Sequence, residues 1–440
     1  MGAGLAFLLT SKPFQQRALT AQEAEIFNRN QAEIAAATAG LPQLTRPVHI
    51  LVMGTILLTG DLPNAPESPP EGYLAQVDSN LNGMSDAMLL LRFDPLAKQV
   101  VILSIPRDTL TEVPSLGQVK INAANYVGGA PLAARAVSQM LGSITIDRYV
   151  RVNVQGFGQL IDALGGIEVD IPQAMKYQDD SQRLYINLPA GRQRLDGSRA
   201  IQFMRFRQDG MGDIGRVQRQ QQFLRALVAQ KLSLELIPRL PDILGVLQQN
   251  LDTNLSVEEL LALGAFAAKM QRQQFKLVML PGRFSEPSEY HLSYWLLDSP
   301  RLAQVMSQHF GVSKTKFGSD DGVGSGASSV RVVVQDLTRQ ATMRQRAIAR
   351  LQQAGLTPIL GEVVGQVAAP QVTQIVAQNG DIKAAEQVRA ALGVGEVLVE
   401  STGDLNSDVT VRLGLDWQKA SPGLPQSLPR RAQEPVRSPR

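Results

Sequence analysis

Short apolar runs alternate with longer amphipathic stretches over most of this chain. Residues 48–53 are apolar except for His49 and are followed by Gly-Thr, a pattern typical of a buried strand. Residues 87–93 and 99–105 are two further apolar runs. They are joined by a turn that contains Asp-Pro, and together they predict a β-hairpin.

Helical and extended patterns interleave throughout residues 46–312. The predicted helices are 131–141, 154–164, 198–204, 242–249 and 256–270, and the further predicted strands are 147–154, 167–171 and 275–280. Because one connection is a tight hairpin, strand directions in the sheet must be mixed. The pattern therefore predicts an α/β (α+β) domain with a mixed central sheet and helices on both faces.

A second, smaller α/β domain is predicted at residues 329–417, after a Gly- and Ser-rich linker at 313–328. Its predicted strands are 330–334, 357–364, 371–377, 396–399 and 408–413, and its predicted helices are 342–354 and 381–392. The tail, residues 418–440, contains five prolines and lacks an apolar period, which predicts disorder.

The N-terminal segment, residues 1–45, allows two interpretations. The apolar residues 1–10 are far fewer than the roughly 20 that a membrane-spanning helix needs, and the segment lacks the basic start of a signal peptide. It is either the second half of a membrane anchor or a short terminal segment. Residues 14–40 are rich in Gln, Ala and Glu, which predicts an exposed helical spacer.

Composition narrows the class of protein. With 44% hydrophobic and 19% charged residues, the chain is typical of a globular protein with a sizeable core. The absence of cysteine excludes disulfides and thiolate metal sites. The net charge of +3 comes from the tail, which has five basic residues against Glu434. The rest is close to neutral and lacks a helix-turn-helix pattern, so we expect no nucleic-acid partner.

An arginine-rich stretch lies between residues 205 and 222. If Arg205 and Arg207 lie on an extended segment, both side chains point the same way. Asp213 is well placed to begin a helix on which Arg216 and Gln220 share one face. Guanidinium groups match phosphate oxygens in geometry and remain charged, so the stretch is typical of a phosphate-binding loop. The alternative is a solvated, self-paired run of charges.

Five ordered segments carry a resemblance to a known family. These are residues 82–91, 103–109, 120–124, 163–170 and 205–220, which include Ser85-Asp86, Pro106-Arg107-Asp108 and Lys120-Ile-Asn122. In this order they resemble the LytR-CpsA-Psr family over about residues 48–232. Residues 329–417, which end in Leu413-Gly-Leu-Asp-Trp417, resemble the LytR C-terminal domain that often follows it.

The resemblance implies a bacterial enzyme that is anchored in the cell membrane and acts on its extracytoplasmic face. Such an enzyme transfers a glycopolymer from a polyprenyl-pyrophosphate carrier to a cell-wall acceptor, usually peptidoglycan, and forms a phosphodiester. Apolar strands and helices would border a slot for the lipid tail. Phosphoryl transfer of this kind depends on positioning and charge neutralisation, which arginines and a divalent cation supply.

The resemblance also implies roles for individual residues. Asp86, with Asp61 or Asp78 as further candidates, would hold Mg²⁺ or Mn²⁺. The pyrophosphate clamp would consist of Arg107, Arg205, Arg207 and Arg216, and the further substrate-binding residues would be Arg219, Gln220, Lys120 and Asn122. The residues leave the general base open among Asp108, Asp209 and Asp213.

Two positions depart from the family pattern. Ile56 stands where the family usually has a second metal-proximal aspartate, and Met84 stands where it has an arginine. The sequence therefore supports two hypotheses: a glycopolymer–peptidoglycan transferase, and a non-catalytic binder of polyprenyl-pyrophosphate glycolipids. A transcription regulator is a third, disfavoured by the charge distribution.

Overall fold

The computed structural model describes most of the chain. Only the backbone is described at 56, 212–214, 231, 240–242, 244, 249 and 418–419. The described residues are 19–27, 33–36, 42–56, 81–180, 184–206, 212–231, 240–317, 330–361, 363, 369–378, 380–404 and 407–419.

The described residues form alternating strands and helices. The strands are β1 (Ala35–Ala36), β2 (Gln43–Leu44), β3 (Val48–Ile56), β4 (Met84–Asp94), β5 (Gln99–Ile105), β6 (Leu110–Val113), β7 (Gly117–Lys120), β8 (Arg148–Asn153), β9 (Ile167–Ile171), β10 (Met175–Asp179), β11 (Leu184–Leu188), β12 (Gly191–Leu195), β13 (Leu251–Thr253), β14 (Phe275–Met279), β15 (Gly282–Phe284), β16 (Trp295–Leu297), β17 (Arg331–Gln335), β18 (Thr357–Leu360), β19 (Gln374–Ala377), β20 (Glu396–Leu398) and β21 (Val409–Arg412). The helices are α1 (Ala21–Phe27), α2 (Ala123–Met140), α3 (Val154–Ala163), α4 (Gly197–Arg205), α5 (Gly212–Lys231), α6 (Leu240–Asn250), α7 (Val257–Ala268), α8 (Ser299–Val305), α9 (Ala341–Gln353), α10 (Ile382–Leu392) and α11 (Asp416–Lys419).

Six strands form the central sheet in the order β13-β8-β3-β4-β5-β14. The pairs β3/β8 and β5/β14 are parallel, and the other neighbours are antiparallel. The predicted hairpin is β4–β5, in which Met88 pairs with Ile105. The prediction of a mixed sheet is therefore confirmed.

Both faces of this sheet are covered by helices, as predicted. On β3, Leu51 and Met53 belong to one buried cluster, which also contains Val137 of α2. Ile50 belongs to another cluster, together with Leu263 of α7. Successive strand residues point to opposite faces, which explains why continuous apolar runs form these strands. The strands that were expected to border a lipid slot thus pack against α2 and α7.

A second lobe adjoins the central sheet; its helices α3 and α4 and strand β9 were predicted, whereas strands β10 to β12 were missed. Strands β10 to β12, together with β9, α3 and α4, enclose a core that includes Leu195 and Phe203. Phe223 of α5 enters the same core. Strands β10 and β12 each contain one buried residue, Met175 and Leu195, among mostly polar ones, so they have no apolar run that the sequence could reveal. Helix α5 thereby joins the second lobe to the rest of the domain.

Helix α2 begins earlier than predicted. Its backbone is helical from Ala123, but Gly129 interrupts the helix with φ 65° and ψ −158°. Pro131 follows this kink and lies in the first turn of the second helical segment. An N–H at that position would have no partner within the segment, so the proline removes no helical hydrogen bond. The prediction of a start at residue 131 therefore identified the second segment of a kinked helix.

The predicted exposed spacer helix is wrong in part. Residues 21–27 are helical, but Ala35–Ala36 form a strand that pairs with Gln43–Leu44. Phe27 and Ile34 are buried in the core, so this segment packs against the domain. Within the ranges that the structure describes, no helix combines the length and apolar character needed to cross a bilayer. The predicted anchor remnant at 1–10 lies outside the described residues, as do the linker segment 318–328 and the tail from residue 420.

The C-terminal module, residues 329–417, contains a five-stranded sheet in the order β18-β17-β21-β19-β20. Only β19/β21 is antiparallel among its described pairs. Helices α9 and α10 cover this sheet. Trp417 is fully buried, and its Nε1 donates to the carbonyl of Met343 at 3.0 Å. The predicted small α/β unit is present.

Candidate functional site

Asp86 and Arg107 lie at the same edge of the central sheet. Asp86 is near the start of β4, and Arg107 follows the end of the antiparallel neighbour β5. Arg107 Nη1 donates to Asp86 Oδ1 at 2.8 Å, and both side chains are largely shielded from solvent. The structure thus brings together two candidates that are weak when considered singly.

Asp108 is the acidic centre of this site. It is 5% exposed, and three basic side chains contact its carboxylate. Lys120 Nζ lies 2.7 Å from Oδ1, Arg107 Nε lies 3.4 Å from Oδ2, and Arg216 Nη2 lies 4.0 Å from Oδ2. The Asp108 carbonyl accepts a hydrogen bond from the N–H of Trp295 at 2.9 Å. We call Asp86, Arg107, Asp108, Lys120 and Arg216 the Asp108 cluster.

Backbone hydrogen bonds around Asn122 hold the cluster's segments together. The Asn122 N–H donates to the carbonyl of Arg107 at 3.3 Å, and the Asn122 carbonyl accepts from the N–H of Ser85 at 3.4 Å. The Asn122 side chain is buried, with its Nδ2 3.7 Å from the sulfur of Met84. Asn122 therefore positions Asp86 and Arg107 through its main chain.

Arg216 and Arg219 lie one turn apart on α5, and both are buried. An Nη2–H of Arg219 donates to the carbonyl of Phe206, and its guanidinium lies 5.3 Å from the centre of the Phe206 ring. Arg219 thus holds the chain segment that leaves α4, while Arg216 reaches Asp108. Gln220 is half-buried on the same helix.

The expectation of an extended segment carrying both Arg205 and Arg207 is wrong at its first residue. Arg205 is the last residue of helix α4, and the chain becomes extended at Phe206. The Arg205 side chain is half-buried. Arg207 lies outside the described residues, as do Asp61, Asp78 and Asp209.

Position 56 is described by its backbone, as is Asp213 in the first turn of α5. Ile56 pairs with Met84 across the β3/β4 ladder, and the register of this ladder is irregular just before it, between Gly54 and Thr55. The two positions that depart from the family pattern are therefore directly opposite each other. Asp86 follows Met84 by two residues on β4.

The described carboxylates suit a metal ion that is shared with a substrate. Among the described residues, no group of three or more His, Cys, Asp or Glu side chains is arranged to hold a metal ion. Asp86 and Asp108 contact different nitrogens of the Arg107 guanidinium, Nη1 and Nε. Mg²⁺ is commonly bound by one or two carboxylates plus phosphate oxygens and water. Asp86 fits that arrangement when phosphate supplies the remaining ligands.

The Asp108 cluster carries more positive than negative charge. Its three basic side chains face two carboxylates, and Lys120 Nζ also lies 5.5 Å from the centre of the Tyr294 ring. Arginine forks hold phosphate oxygens through paired hydrogen bonds, and Lys120 supplies a point charge. The arrangement can bind a phosphate or pyrophosphate group and hold it in one orientation.

Several contributors to the site were missed by sequence reasoning. The sequence names Asp108 only as one of three candidates for the general base, and its pairing with three cations was not predicted. The sequence signal that could have indicated this role was the position of Asp108 directly after Arg107. Phe206, Tyr294 and Trp295 carried no comparable signal, because their roles depend on contacts between segments distant in the chain.

Two family models match the chain. The model of the LytR_cpsA_psr family matches residues 11–310. The model described as LytR cell envelope-related transcriptional attenuator matches residues 329–417.

Curated relatives are similar to the first of these regions. A protein of Oceanobacillus iheyensis named polyisoprenyl-teichoic acid–peptidoglycan teichoic acid transferase TagU is 37% identical over 185 residues, which is 40% of this chain and 56% of the relative. TagV of Bacillus subtilis, named as the same kind of transferase, is 32% identical over 230 residues, 51% of this chain and 58% of the relative. The chain thus spans little more than half the length of these relatives.

Solved structures resemble the fold. A crystal structure of protein gbs0355 from Streptococcus agalactiae has a TM-score of 0.50 and 25% identity, covering 63% of this chain and 89% of that one. The crystal structure of Bacillus subtilis TagV has a TM-score of 0.48 and 29% identity, covering 60% of this chain and 95% of that one.

Proposed function

The chain belongs to the LytR-CpsA-Psr family, and we propose that it transfers a glycopolymer from a polyprenyl-pyrophosphate carrier to peptidoglycan. In this reaction an acceptor hydroxyl attacks the phosphorus that bears the glycan. A new P–O bond forms, the bridging P–O bond of the pyrophosphate breaks, polyprenyl monophosphate leaves, and the hydroxyl proton is released. The product is a phosphodiester. The names of the curated relatives support this substrate class.

The observation that carries the proposal is the convergence of Arg107, Lys120 and Arg216 on Asp108. Each cation comes from a different segment of the chain. Fixed cations stabilise the charge that develops on phosphate oxygens without reorganising during the reaction. In the proposal, Asp108 orients the three cations, and Arg107 and Arg216 bind the pyrophosphate. Arg205, Arg207, Arg219 and Gln220 complete the substrate site.

Asp86, together with pyrophosphate oxygens, would hold Mg²⁺ or Mn²⁺. When bound, such an ion supplies charge neutralisation to the transferring phosphate. The Arg107 guanidinium contacts the Asp86 carboxylate at 2.8 Å. In the proposal, Arg107 keeps the Asp86 carboxylate in place and also binds the diphosphate.

The proposed partners follow from the reaction. They are a polyprenyl-linked glycan donor, a peptidoglycan acceptor and the membrane that holds the donor, which places the protein on the extracytoplasmic face of the bacterial cell membrane. Nucleic acid is not among the proposed partners, because the net positive charge is concentrated in residues 418–440.

A non-catalytic glycolipid binder is the second candidate, and Ile56 favours it. An aliphatic residue at this position removes one carboxylate from the strand beside Asp86. With fewer oxygen ligands, affinity for a hard divalent cation falls. Such a protein would bind the diphosphate without transferring it.

A turnover assay separates the two candidates. The full chain is incubated with Mg²⁺, a short-chain polyprenyl-pyrophosphoryl oligosaccharide and a peptidoglycan oligomer, and the products are analysed by mass spectrometry. A phosphodiester-linked product supports the transferase. Binding of the donor without product supports the binder, and a protein that does neither would refute both. Arg107→Ala serves as the control for adventitious transfer.

A further inference from the structure

The C-terminal module extends the central sheet beyond β14. The N–H of Leu277 donates to the carbonyl of Val399 at 2.8 Å, and the N–H of Ser401 donates to the carbonyl of Leu277 at 2.9 Å. The N–H of Met279 donates to Ser401 Oγ at 2.7 Å. Residues 399–401 therefore lie beside this strand as a short parallel bridge, in which Leu277 is the partner of Glu400.

Glu400 brings a buried carboxylate to this contact. Its side chain is 4% exposed. Arg225 Nη1, on helix α5, lies 3.4 Å from Oε2, and Arg272 Nη2 lies 3.6 Å from Oε1. Burial, as the largest cause, and the charges of Arg225 and Arg272 together lower the pKa of the nearby Arg412 guanidinium to about 10, against the opposing charge of Glu400. Glu400 thus pairs with two guanidinium groups and stabilises the charge of a third, Arg412.

Helix α5 contacts both the Asp108 cluster and the C-terminal module. Gln218 Nε2 donates to the carbonyl of Gly403 at 3.4 Å, and Arg225, seven residues later on the same side of the helix, reaches Glu400. Arg216 and Arg219 lie on another side, toward Asp108 and Phe206. With 3.6 residues per turn, residues 216 and 218 point in nearly opposite directions. The helix is therefore held between the module and the site.

We propose that Glu400 is a positioning residue: through Arg225 it fixes helix α5 so that Arg216 meets Asp108. This inference rests on the proposed function, because it concerns the same diphosphate site. Glu400 touches neither Arg216 nor any residue of the Asp108 cluster. It acts through the helix, and the C-terminal module thereby sets the affinity of a site to which it contributes no ligand.

The electrostatics explain why the contact depends on this carboxylate. Removing one member of a buried ion pair leaves its partners uncompensated. Without Glu400 the guanidiniums of Arg225, Arg272 and Arg412 face one another and repel. Contacts elsewhere keep the module attached: Arg301 Nη2 lies 3.1 Å from Asp408 Oδ1, and His309 Nε2 donates to the carbonyl of Gly380 at 3.1 Å. The loss of Glu400 should loosen α5 without releasing the module.

The test compares full-length wild type, Glu400→Gln and Glu396→Gln. Glu396 lies on β20 and pairs with Arg272 at 3.8 Å, but it does not reach α5, so it is a matched control. Backbone hydrogen exchange is followed over residues 215–231, and affinity is measured for inorganic pyrophosphate with Mg²⁺. We expect Glu400→Gln to accelerate exchange in α5 and to weaken pyrophosphate binding by about fivefold, the lower end of typical coupling between sites. Glu396→Gln should match wild type in both.

Arg225→Gln breaks the same contact from the helix side and keeps the test decisive if Glu400→Gln folds poorly. Its effects should equal those of Glu400→Gln, and the double variant should show no additional loss. Unchanged exchange in α5 together with unchanged affinity would overturn the inference, since Glu400 would then only attach the module. If wild type itself fails to bind pyrophosphate, the proposed function fails, and the exchange measurement still decides whether Glu400 holds the helix.

Discussion

Arg107 Nη1 lies 2.8 Å from Asp86 Oδ1, although 21 positions separate the two residues in the chain. The β4–β5 hairpin explains this contact. Its register pairs Met88 with Ile105. Asp86, two residues before Met88, and Arg107, two residues after Ile105, therefore lie at the same edge of the sheet. An arginine and an aspartate that each suggest little in the sequence thereby form one half of the proposed diphosphate site.

Arg107→Ala should weaken binding of a polyprenyl pyrophosphate. A hydrogen bond to a charged group contributes about 1.5–3 kcal/mol, so we expect a loss of roughly tenfold to a hundredfold in affinity. Isothermal titration calorimetry with a short-chain polyprenyl pyrophosphate measures it. Arg135→Ala is the control, because Arg135 is exposed on α2. Equal affinity of Arg107→Ala and wild type would contradict the proposed clamp.

Asp108→Asn should separate binding from catalysis. Removal of the negative charge frees Arg107, Lys120 and Arg216 from their common partner, while Glu400 still holds helix α5 beside the site. Inorganic pyrophosphate should therefore bind as tightly as to wild type or more tightly. The cations lose their orientation, and misplacement of this kind costs about a hundredfold in transfer rate.

Pyrophosphate affinity and the transfer rate are measured on the same preparations of Asp108→Asn. Glu112→Gln removes an exposed carboxylate from β6 and controls for the change in overall charge. A variant of Asp108 with full transfer activity would show that the carboxylate does not organise the site.

Ile56→Asp should increase the dependence of the protein on Mg²⁺. Residue 56 pairs with Met84 on the strand that carries Asp86, so a carboxylate there adds an oxygen ligand to the adjacent strand. We expect transfer to saturate at a lower Mg²⁺ concentration than in wild type. Ile56→Asn, a polar but uncharged change, is the control. No shift in the Mg²⁺ titration would indicate that Asp61 or Asp78 already supplies the second carboxylate ligand.

Acid should destabilise the protein through two histidines. Burial, as the largest cause, lowers the pKa of both His49 and His309 to about 4 from 6.5. The unfolded chain therefore binds more protons than the folded chain between these values, and stability falls as pH decreases from about 6.5 to about 4. Each proton taken up on unfolding changes the free energy of unfolding by about 1.4 kcal/mol per pH unit.

The contribution of His309 is isolated by substitution. His309→Gln retains a side-chain donor for the Gly380 carbonyl but cannot take up the proton, so its loss of stability between pH 7 and pH 5 should be smaller than that of wild type. Urea denaturation at the two pH values measures this difference. His291→Gln alters an exposed histidine and should follow wild type. A His309→Gln variant as acid-sensitive as wild type would exclude His309 as a cause.

The sequence alone was sufficient for the elements with long apolar periods. The hairpin β4–β5, helices α3 and α7, and the small α/β unit at 329–417 follow from local periodicity, because buried strands and helices need apolar residues at fixed spacing. Ordered segments such as Pro106-Arg107-Asp108 were sufficient for the family. Short strands such as β10 and β12 were missed because their burial comes from neighbours that the local sequence does not reveal.

Tertiary structure alone decided how the charged residues are used. Asp108 became the partner of three cations because β5, β7 and α5 end or pass at one edge of the sheet. Glu400 met Arg225 because the C-terminal module lies beside β14. A charged side chain has the same sequence signature whether it is solvated or buried in an ion pair. Its role depends on which distant segments the packed core brings within a few ångströms of it.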